Sequence, residues 1–332
     1  MQYRTLGKTG LQISSLAFGA GPISALMVGQ DESCQRAVVT HAVRRGLNWF
    51  DTAATYGSGR SEENLGRVLE ELGVAERVHV ATKVRLAAED LGDFRGAVRR
   101  SLAGSLRRLR LSRVTLLQLH NAITLGRGDE PTSITPDDVL RSGGVANAFE
   151  ELQAEGLVSH IGLTGIGCTA SLAEVVRSGR FDTIQVPYHL LNPSAGRVMP
   201  EDFVETNYGN IIATCGEMQM GVLVIRTLAG GALAGNAPSP HTLKTPFFPL
   251  ALYERDRDRA TRLRKILGPG RCLPQEAIRF ALAHPQMSSA IVGFGEVWQI
   301  DEALLALEER SPSMDWNDYF STESGFSRLS QS

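Results

Sequence analysis

The stretch Asp51-Thr52-Ala53-Ala54-Thr55-Tyr56-Gly57 follows a short apolar run, Leu47-Asn48-Trp49-Phe50. Such a run reads as a buried strand, so a carboxylate and a phenol stand just past its carboxyl end, where α/β proteins keep their chemistry. Two further polar groups occupy similar places. Lys83 lies within Val78-His79-Val80-Ala81-Thr82-Lys83-Val84, and His120 closes Val114-Thr115-Leu116-Leu117-Gln118-Leu119-His120. In chain order these groups are expected to converge on one rim.

Working outward from that rim, short β-branched or leucine-rich runs alternate with longer segments whose apolar residues recur at helical spacing. This is the signature of βαβ units around a parallel sheet. Strands are expected at 15–19, 47–51, 78–84, 114–120, 158–164, 183–186, 222–226 and 290–293. Helices are expected at 33–45, 61–72, 94–109, 145–155, 171–177, in a segment before Gly221, at 273–283 and at 297–308. Ser61 is the N-cap candidate of the second helix, with Glu62 and Glu63 in its first turn. A hairpin-like segment from Tyr3 to Ile13, turning at Lys8-Thr9-Gly10, precedes the first strand. The pattern is that of one (β/α)8 TIM barrel spanning residues 1–332, with long polar loops after the fourth strand (121–136) and the seventh (229–270). The tail, 311–332, carries Trp316, Tyr319, Phe320 and Phe326 and is expected to pack back on the barrel.

Composition bounds the function. With 332 residues and 42% hydrophobic content the chain can bury one large core without staples or metal. A formal net charge of -2 supplies no basic field for a phosphate backbone, so nucleic acid is a poor partner. The N-terminus lacks the apolar core of a signal peptide, and no apolar run approaches the roughly 20 residues of a membrane helix. The expectation is a cytoplasmic protein that acts on a small molecule. Cys34, Cys168, Cys215 and Cys272 form no Cys-x-x-Cys pair, which argues against a disulfide scaffold or structural zinc. Lysine occurs only at Lys8, Lys83, Lys244 and Lys265, so a lysine inside an apolar strand is conspicuous.

Lined up, these residues resemble the aldo-keto reductase family. Asp51 to Gly57, followed by Ser61-Glu62-Glu63-Asn64-Leu65-Gly66, matches the family's Asp-Thr-Ala-x-x-Tyr-Gly and Ser-Glu-x-x-Leu-Gly. Lys83 in Ala81-Thr82-Lys83-Val84 matches its strand lysine, and His120 in Leu117-Gln118-Leu119-His120 its histidine. The resemblance implies a catalytic tetrad of Asp51, Tyr56, Lys83 and His120, with Tyr56 as proton donor or acceptor. The chemistry of the side chains agrees. A phenol is a sluggish proton source near neutrality, and an ammonium beside it favours the phenolate. Asp51 would keep Lys83 charged and aimed, and His120 would orient a substrate carbonyl. Singly, each residue admits an ordinary role: a cap, a surface phenol, a snorkelling lysine, a satisfied histidine. Asp51 paired to Lys83 purely as a structural ion pair is the strongest of these.

The same carry-over implies a nicotinamide cofactor, NADP(H) or NAD(H). Thr164-Gly165 stands where most members have Ser-Asn gripping the carboxamide, and this pair is similar to the branch of L-galactose and related aldose 1-dehydrogenases. Gln185 matches a carboxamide-binding glutamine. Arg226, Leu228, Gly230 and Gly231 match the pyrophosphate loop, where glycines admit an anion to backbone amides. Ile225 replaces an aromatic that often stacks on the ring. Gly293, Phe294 and Gly295, with Gln299 and Glu302, are implied for the adenosine end at a helix N-terminus, and Gly19 and Ala20 for the end of the first strand. Gly293, Phe294 and Gln299 replace the cations that NADP-specific relatives use, and Glu296 could accept from a free 2′-hydroxyl, while the family at large prefers NADP. The expected function is oxidoreduction of a small aldehyde, ketone or aldose. The alternative is a regulatory barrel that senses nicotinamide nucleotide without chemistry, against which the intact tetrad argues; a hydrolase or isomerase barrel would need more carboxylates or metal ligands.

Overall fold

Alternation along the strands decides which side chains enter the barrel. The computed structural model describes residues 1–245 and 249–308, together with Trp316 and Phe320. A hairpin of β1 (Tyr3–Thr5) and β2 (Gln12–Ser14) pairs antiparallel through a turn at Gly7–Thr9. Eight parallel strands then close a barrel: β3 (Leu16–Gly19), β4 (Trp49–Asp51), β5 (His79–Val84), β6 (Val114–Leu119), β7 (Val158–Thr164), β8 (Thr183–Pro187), β9 (Gly221–Ile225) and β10 (Met287–Gly293), with β10 pairing back to β3. The helices α1 (Glu32–Arg44), α2 (Arg60–Glu71), α3 (Phe94–Leu109), α4 (Pro136–Leu140), α5 (Val145–Ala154), α6 (Thr169–Arg177), α7 (Ile211–Glu217), α8 (Leu250–Leu267), α9 (Leu273–Ala283) and α10 (Val297–Leu304) follow in chain order. This is the (β/α)8 TIM barrel with an N-terminal hairpin.

The lower half of the barrel interior is apolar. Ala17, Trp49, Ala81, Leu116, Leu223 and Ile291 pack there with Leu6 and Ile13 of the hairpin region, so the hairpin plugs one end. Side chains two residues further along a strand share that face one layer nearer the other end. By that alternation Asp51 follows Trp49, Lys83 follows Ala81, and Gln118 follows Leu116. A polar layer therefore sits directly on an apolar one, at the carboxyl mouth.

The outer ring explains half of the family motif. Ser61 is not an N-cap: α2 opens after Gly59, and the buried Ser61 hydroxyl donates to the Ala20 carbonyl at 2.8 Å and meets Thr52 Oγ1 at 2.8 Å. Glu62 is fully buried, accepting from Thr82 Oγ1 at 2.5 Å and pairing with Arg108 of α3 at 2.6 Å. Gly66 allows α2 and α3 to touch, since a Cβ there would lie 2.5 Å from the Leu109 carbonyl. Backbone cannot yield as a flexible side chain does. Gly66→Ala is expected to cost about 1–3 kcal/mol by overpacking, read from urea unfolding; an unchanged midpoint would place the two helices farther apart.

The loop after β9 departs from expectation. Within the segment 229–270 lies the 18-residue α8, which buries Tyr253, Asp256, Arg259, Ala260, Leu263 and Leu267. Two of the buried positions are charged, so the apolar stripe is interrupted in the sequence. Arg259 reaches Glu205 at 3.0 Å, Asp256 at 3.4 Å and the Leu191 carbonyl at 2.9 Å, while burial pushes Asp256 up to about 6 against the pull of its arginines. From the tail, Trp316 and Phe320 are buried against Phe280 of α9, with ring centroids 6.4 and 5.8 Å away. Tyr319 and Phe326 lie outside the described residues. Among the described residues no helix is long and apolar enough to cross a membrane.

His189, beyond β8, is buried, and its Nδ1 accepts from the Leu191 amide at 3.3 Å, an arrangement open only to the neutral ring. Burial, then Arg226 and Arg259, hold its pKa down to about 3. A folded value below the unfolded one contributes stability above about 6.5 that is lost as pH falls towards 3. Between pH 7 and 4.5, His189→Gln is expected to lose about 2 kcal/mol less unfolding free energy than the parent chain. Parallel pH dependences for the two proteins would rule this group out as the source.

Candidate active site

Asp51 ends β4, Lys83 sits in register with Gln118 across β5 and β6, and His120 follows β6. Three adjacent strands thus deliver the groups to one mouth. Tyr56 arrives from the loop after β4. The chain turns sharply behind it, with Gly57, Ser58 and Gly59 at φ 60°, 56° and 96°, all left-handed. At Gly57 a Cβ would also lie 2.9 Å from Val28 Cγ1.

The four side chains meet. Lys83 Nζ donates to Asp51 Oδ1 at 2.5 Å, to the Thr52 carbonyl at 2.8 Å and to Tyr56 Oη at 3.3 Å. Its side chain is 1% exposed. Burial alone would push the ammonium down, but the Asp51 carboxylate and the Tyr56 hydroxyl outweigh it, and Lys83 titrates above its usual range. Asp51 Oδ2 accepts from Gln118 Nε2 at 3.3 Å and from Gln185 Nε2 of β8. The His120 ring stands edge-on to the Tyr56 ring, centroids 5.8 Å apart and planes at 83°. Burial, then Arg85 and Lys83, hold this imidazole well below its ordinary pKa, so it is neutral at pH 7. Its Nδ1 lies 3.5 Å from the Thr55 hydroxyl; when that hydroxyl donates, the ring proton is on Nε2.

Three neighbours were missed from the sequence. Gln118 holds the second Asp51 oxygen, the Thr52 carbonyl takes a Lys83 proton, and the Arg85 guanidinium adds positive potential at His120. Gln118 and Arg85 were within reach of strand alternation, each two residues from a tetrad member.

The residues implied for the cofactor come mainly from the other half of the barrel, the ends of β7, β8, β9 and β10, which are neighbours in that order. Thr164 is 3% exposed and its hydroxyl is buried without a hydrogen-bond partner among the described residues, an orphan that fits a ligand amide. At Gly165 a Cβ would lie 3.0 Å from Ile184 Cδ1 and Val186 Cγ1, so the asparagine common elsewhere has no room unless they move. Gln185 turns its amide nitrogen to Asp51 and thereby links the two halves. After β9, Arg226 and Ala229 are left-handed at φ 57° and 48°, and Gly230 and Gly231 follow at 65° and 103°, with Leu228 receiving the Gly231 amide at 2.9 Å.

Beyond β10 the placements are mixed. Gly293 and Gly295 face Ser24, but Phe294 is buried 5.9 Å from the Phe18 ring, as core. Gln299 Oε1 accepts from the Gly295 and Glu296 amides at 2.7 and 3.1 Å, taking donors at the start of α10. Glu302 receives the Cys272 thiol at 3.5 Å. Gly19 is packed, its Cβ position 3.0 Å from Ile291 Cγ2, and buried Ala20 binds the Asp51 carbonyl through its amide at 2.8 Å. Among the described residues no group of three or more His, Cys, Asp or Glu could hold a metal.

The chain is similar to known proteins over most of its length. The Aldo/keto reductase family matches residues 15–321. L-galactose dehydrogenase of Arabidopsis thaliana is 28% identical over 312 residues, covering 93% of this chain and 89% of its own. D-threo-aldose 1-dehydrogenase of a Pseudomonas species is 30% identical over 312 residues, covering 86% of each. The aldo-keto reductase AKR11C1 from Bacillus halodurans, in its holo form, superposes with a TM-score of 0.71 at 23% identity, covering 100% of this chain and 97% of that one, and shows the fold. The chain belongs to the aldo/keto reductase family and is a nicotinamide-dependent oxidoreductase of carbonyl compounds.

Proposed function

We propose that this chain moves a hydride between a nicotinamide and the anomeric carbon of an aldose or a small hydroxyaldehyde, with Tyr56 as the proton-transferring group. The observation that carries the reading is the buried Lys83 ammonium, 2.5 Å from Asp51 and 3.3 Å from the Tyr56 hydroxyl at the barrel mouth. The nicotinamide, when bound, supplies or accepts the hydride. Thr164 and Gln185 would hold its carboxamide, and the left-handed turn from Arg226 to Gly231 its pyrophosphate.

The chain's own groups handle the proton. In oxidation the Tyr56 oxygen takes the hydroxyl proton of the substrate; in reduction it returns one to the carbonyl oxygen. A cation 3.3 Å away stabilises negative charge on that oxygen as its proton leaves, and Asp51 keeps the cation charged inside an apolar barrel. A neutral His120 orients the substrate oxygen without competing for the proton. Such proton transfer contributes about 10²–10⁴ in rate.

The substrate class is supported by Thr164-Gly165 and by the likeness to two aldose dehydrogenases. Titration of the purified protein with NADP and with NAD, followed by intrinsic fluorescence, separates the cofactors. An absorbance screen at the reduced-nicotinamide band, with aldoses and simple aldehydes, then tests the substrate. Faster turnover of simple aldehydes than of any aldose would remove the sugar from this reading and leave the chemistry. Binding of neither nucleotide would remove both.

A further inference from the structure

We infer that Gln118 is a positioning residue of the active site: its amide holds the Asp51 carboxylate, through which Lys83 is kept aimed at the Tyr56 hydroxyl. The inference rests on Tyr56 as the proton carrier. Gln118 is 0% exposed, and its Nε2 donates to Asp51 Oδ2 at 3.3 Å. It stands in register with Lys83 on the neighbouring strand, so the amide of β6 reaches the carboxylate of β4 past the ammonium of β5.

Three donors from three strands fix the carboxylate. Lys83 of β5 takes Oδ1 at 2.5 Å, while Gln118 of β6 and Gln185 of β8 share Oδ2. The ammonium in turn directs its three protons to Asp51 Oδ1, the Thr52 carbonyl and Tyr56 Oη. Rotation of the carboxylate would therefore draw Lys83 off the phenol or leave an ammonium proton buried without an acceptor. The amide also acts through charge. Its positive end faces Oδ2, so removing it leaves more negative potential over Lys83 and less stabilisation of negative charge on the Tyr56 oxygen. Of the two donors to Oδ2, Gln185 would also meet the carboxamide of the nicotinamide. Gln118 Nε2 has Asp51 as its acceptor.

A second observation argues against packing as the reason for the amide. Gln118 Oε1 is buried with no hydrogen-bond partner among the described residues, and an unsatisfied buried acceptor weakens a fold. Two residues earlier on the same strand the interior is filled by Leu116. Another apolar side chain at 118 would extend that layer and leave no orphan. The amide serves the carboxylate at the expense of the core, a trade common where activity needs it.

Gln118→Met keeps the length of the side chain and removes the donor and the orphan together. Reduction of benzaldehyde by the full chain, at saturating NADPH or NADH, is expected to fall about tenfold in kcat, with KM and the dissociation constant of the nucleotide within about twofold. The urea midpoint is expected to stay level or rise. Gln118→Glu restores a proton donor at the same place, because two carboxyls in contact do not both ionise. Its kcat is expected to exceed that of Gln118→Met at about pH 6 and to sink to that level as the shared proton is lost at higher pH. A kcat for Gln118→Met within twofold of the parent would overturn the proposal, as would a urea midpoint that drops along with kcat, or matching pH profiles for the two variants. No sugar enters the assay, so these outcomes leave the aldose reading untouched, and an aldose that is not turned over leaves Gln118 untouched.

Discussion

Tyr56→Phe is expected to lower kcat by about 10³-fold while leaving the dissociation constant for nicotinamide nucleotide within about twofold. The ring itself is retained, and with it the edge-on packing against His120. What disappears is one oxygen, the one 3.3 Å from Lys83 Nζ. Steady-state rates and a fluorescence titration on the same preparation separate the two effects. Near-normal turnover would eliminate Tyr56 as the proton carrier. Lost nucleotide affinity with residual chemistry would make the hydroxyl a binding group.

The second large effect separates charge from scaffold at Asp51 and Lys83. Asp51→Asn keeps the shape but leaves an ammonium buried without its counter-charge, and removing one partner of a buried pair costs about 3–5 kcal/mol. The double variant Asp51→Asn with Lys83→Met has no charge to compensate, and near-isosteric neutral replacement of such pairs is often close to neutral. Stability measured in urea should therefore drop in the single variant and return in the double, while turnover stays absent in both. Regained turnover in the double would reduce the pair to a structural ion pair. In the parent chain Lys83 is raised, so its contribution is complete below about pH 10.5 and is lost only as pH climbs through the higher folded value. A stability loss in Asp51→Asn that vanishes above that range identifies the ammonium as its cause.

These tests bear on residues whose legibility in the sequence was uneven. Asp51, Lys83 and His120 could be read because a charged or titratable side chain at the end of an apolar strand has few structural excuses. Gln118, two residues before His120 in β6, could have been read and was not, because a neutral amide in a strand draws no attention until its partner is known. Ser61 shows the opposite error: the sequence of an N-cap was present, but the hydroxyl turned inward to the Ala20 carbonyl, since a buried acceptor outbids an exposed amide that water can satisfy. Glu62 likewise reads as a helix-start acid and is a buried partner of Arg108. α8 was hidden because its buried face includes Asp256 and Arg259, whose compensation comes from Glu205 and Leu191, more than fifty residues away in the chain.

The sequence by itself determined the barrel and its catalytic rim, because period-two and period-3.6 patterning are local and eight βα units leave few ways to bury them. It also determined which residue types reach the carboxyl mouth, since strand alternation assigns each side chain a face. Only the tertiary structure decided the partners: that Gln185 crosses the barrel to Asp51, that Gln299 takes the amides at the head of α10, and that the Thr164 hydroxyl has no partner among the described residues. Hydrogen bonds and ion pairs form between atoms a few ångströms apart whatever their separation along the chain, so no reading of neighbours in sequence could contain them.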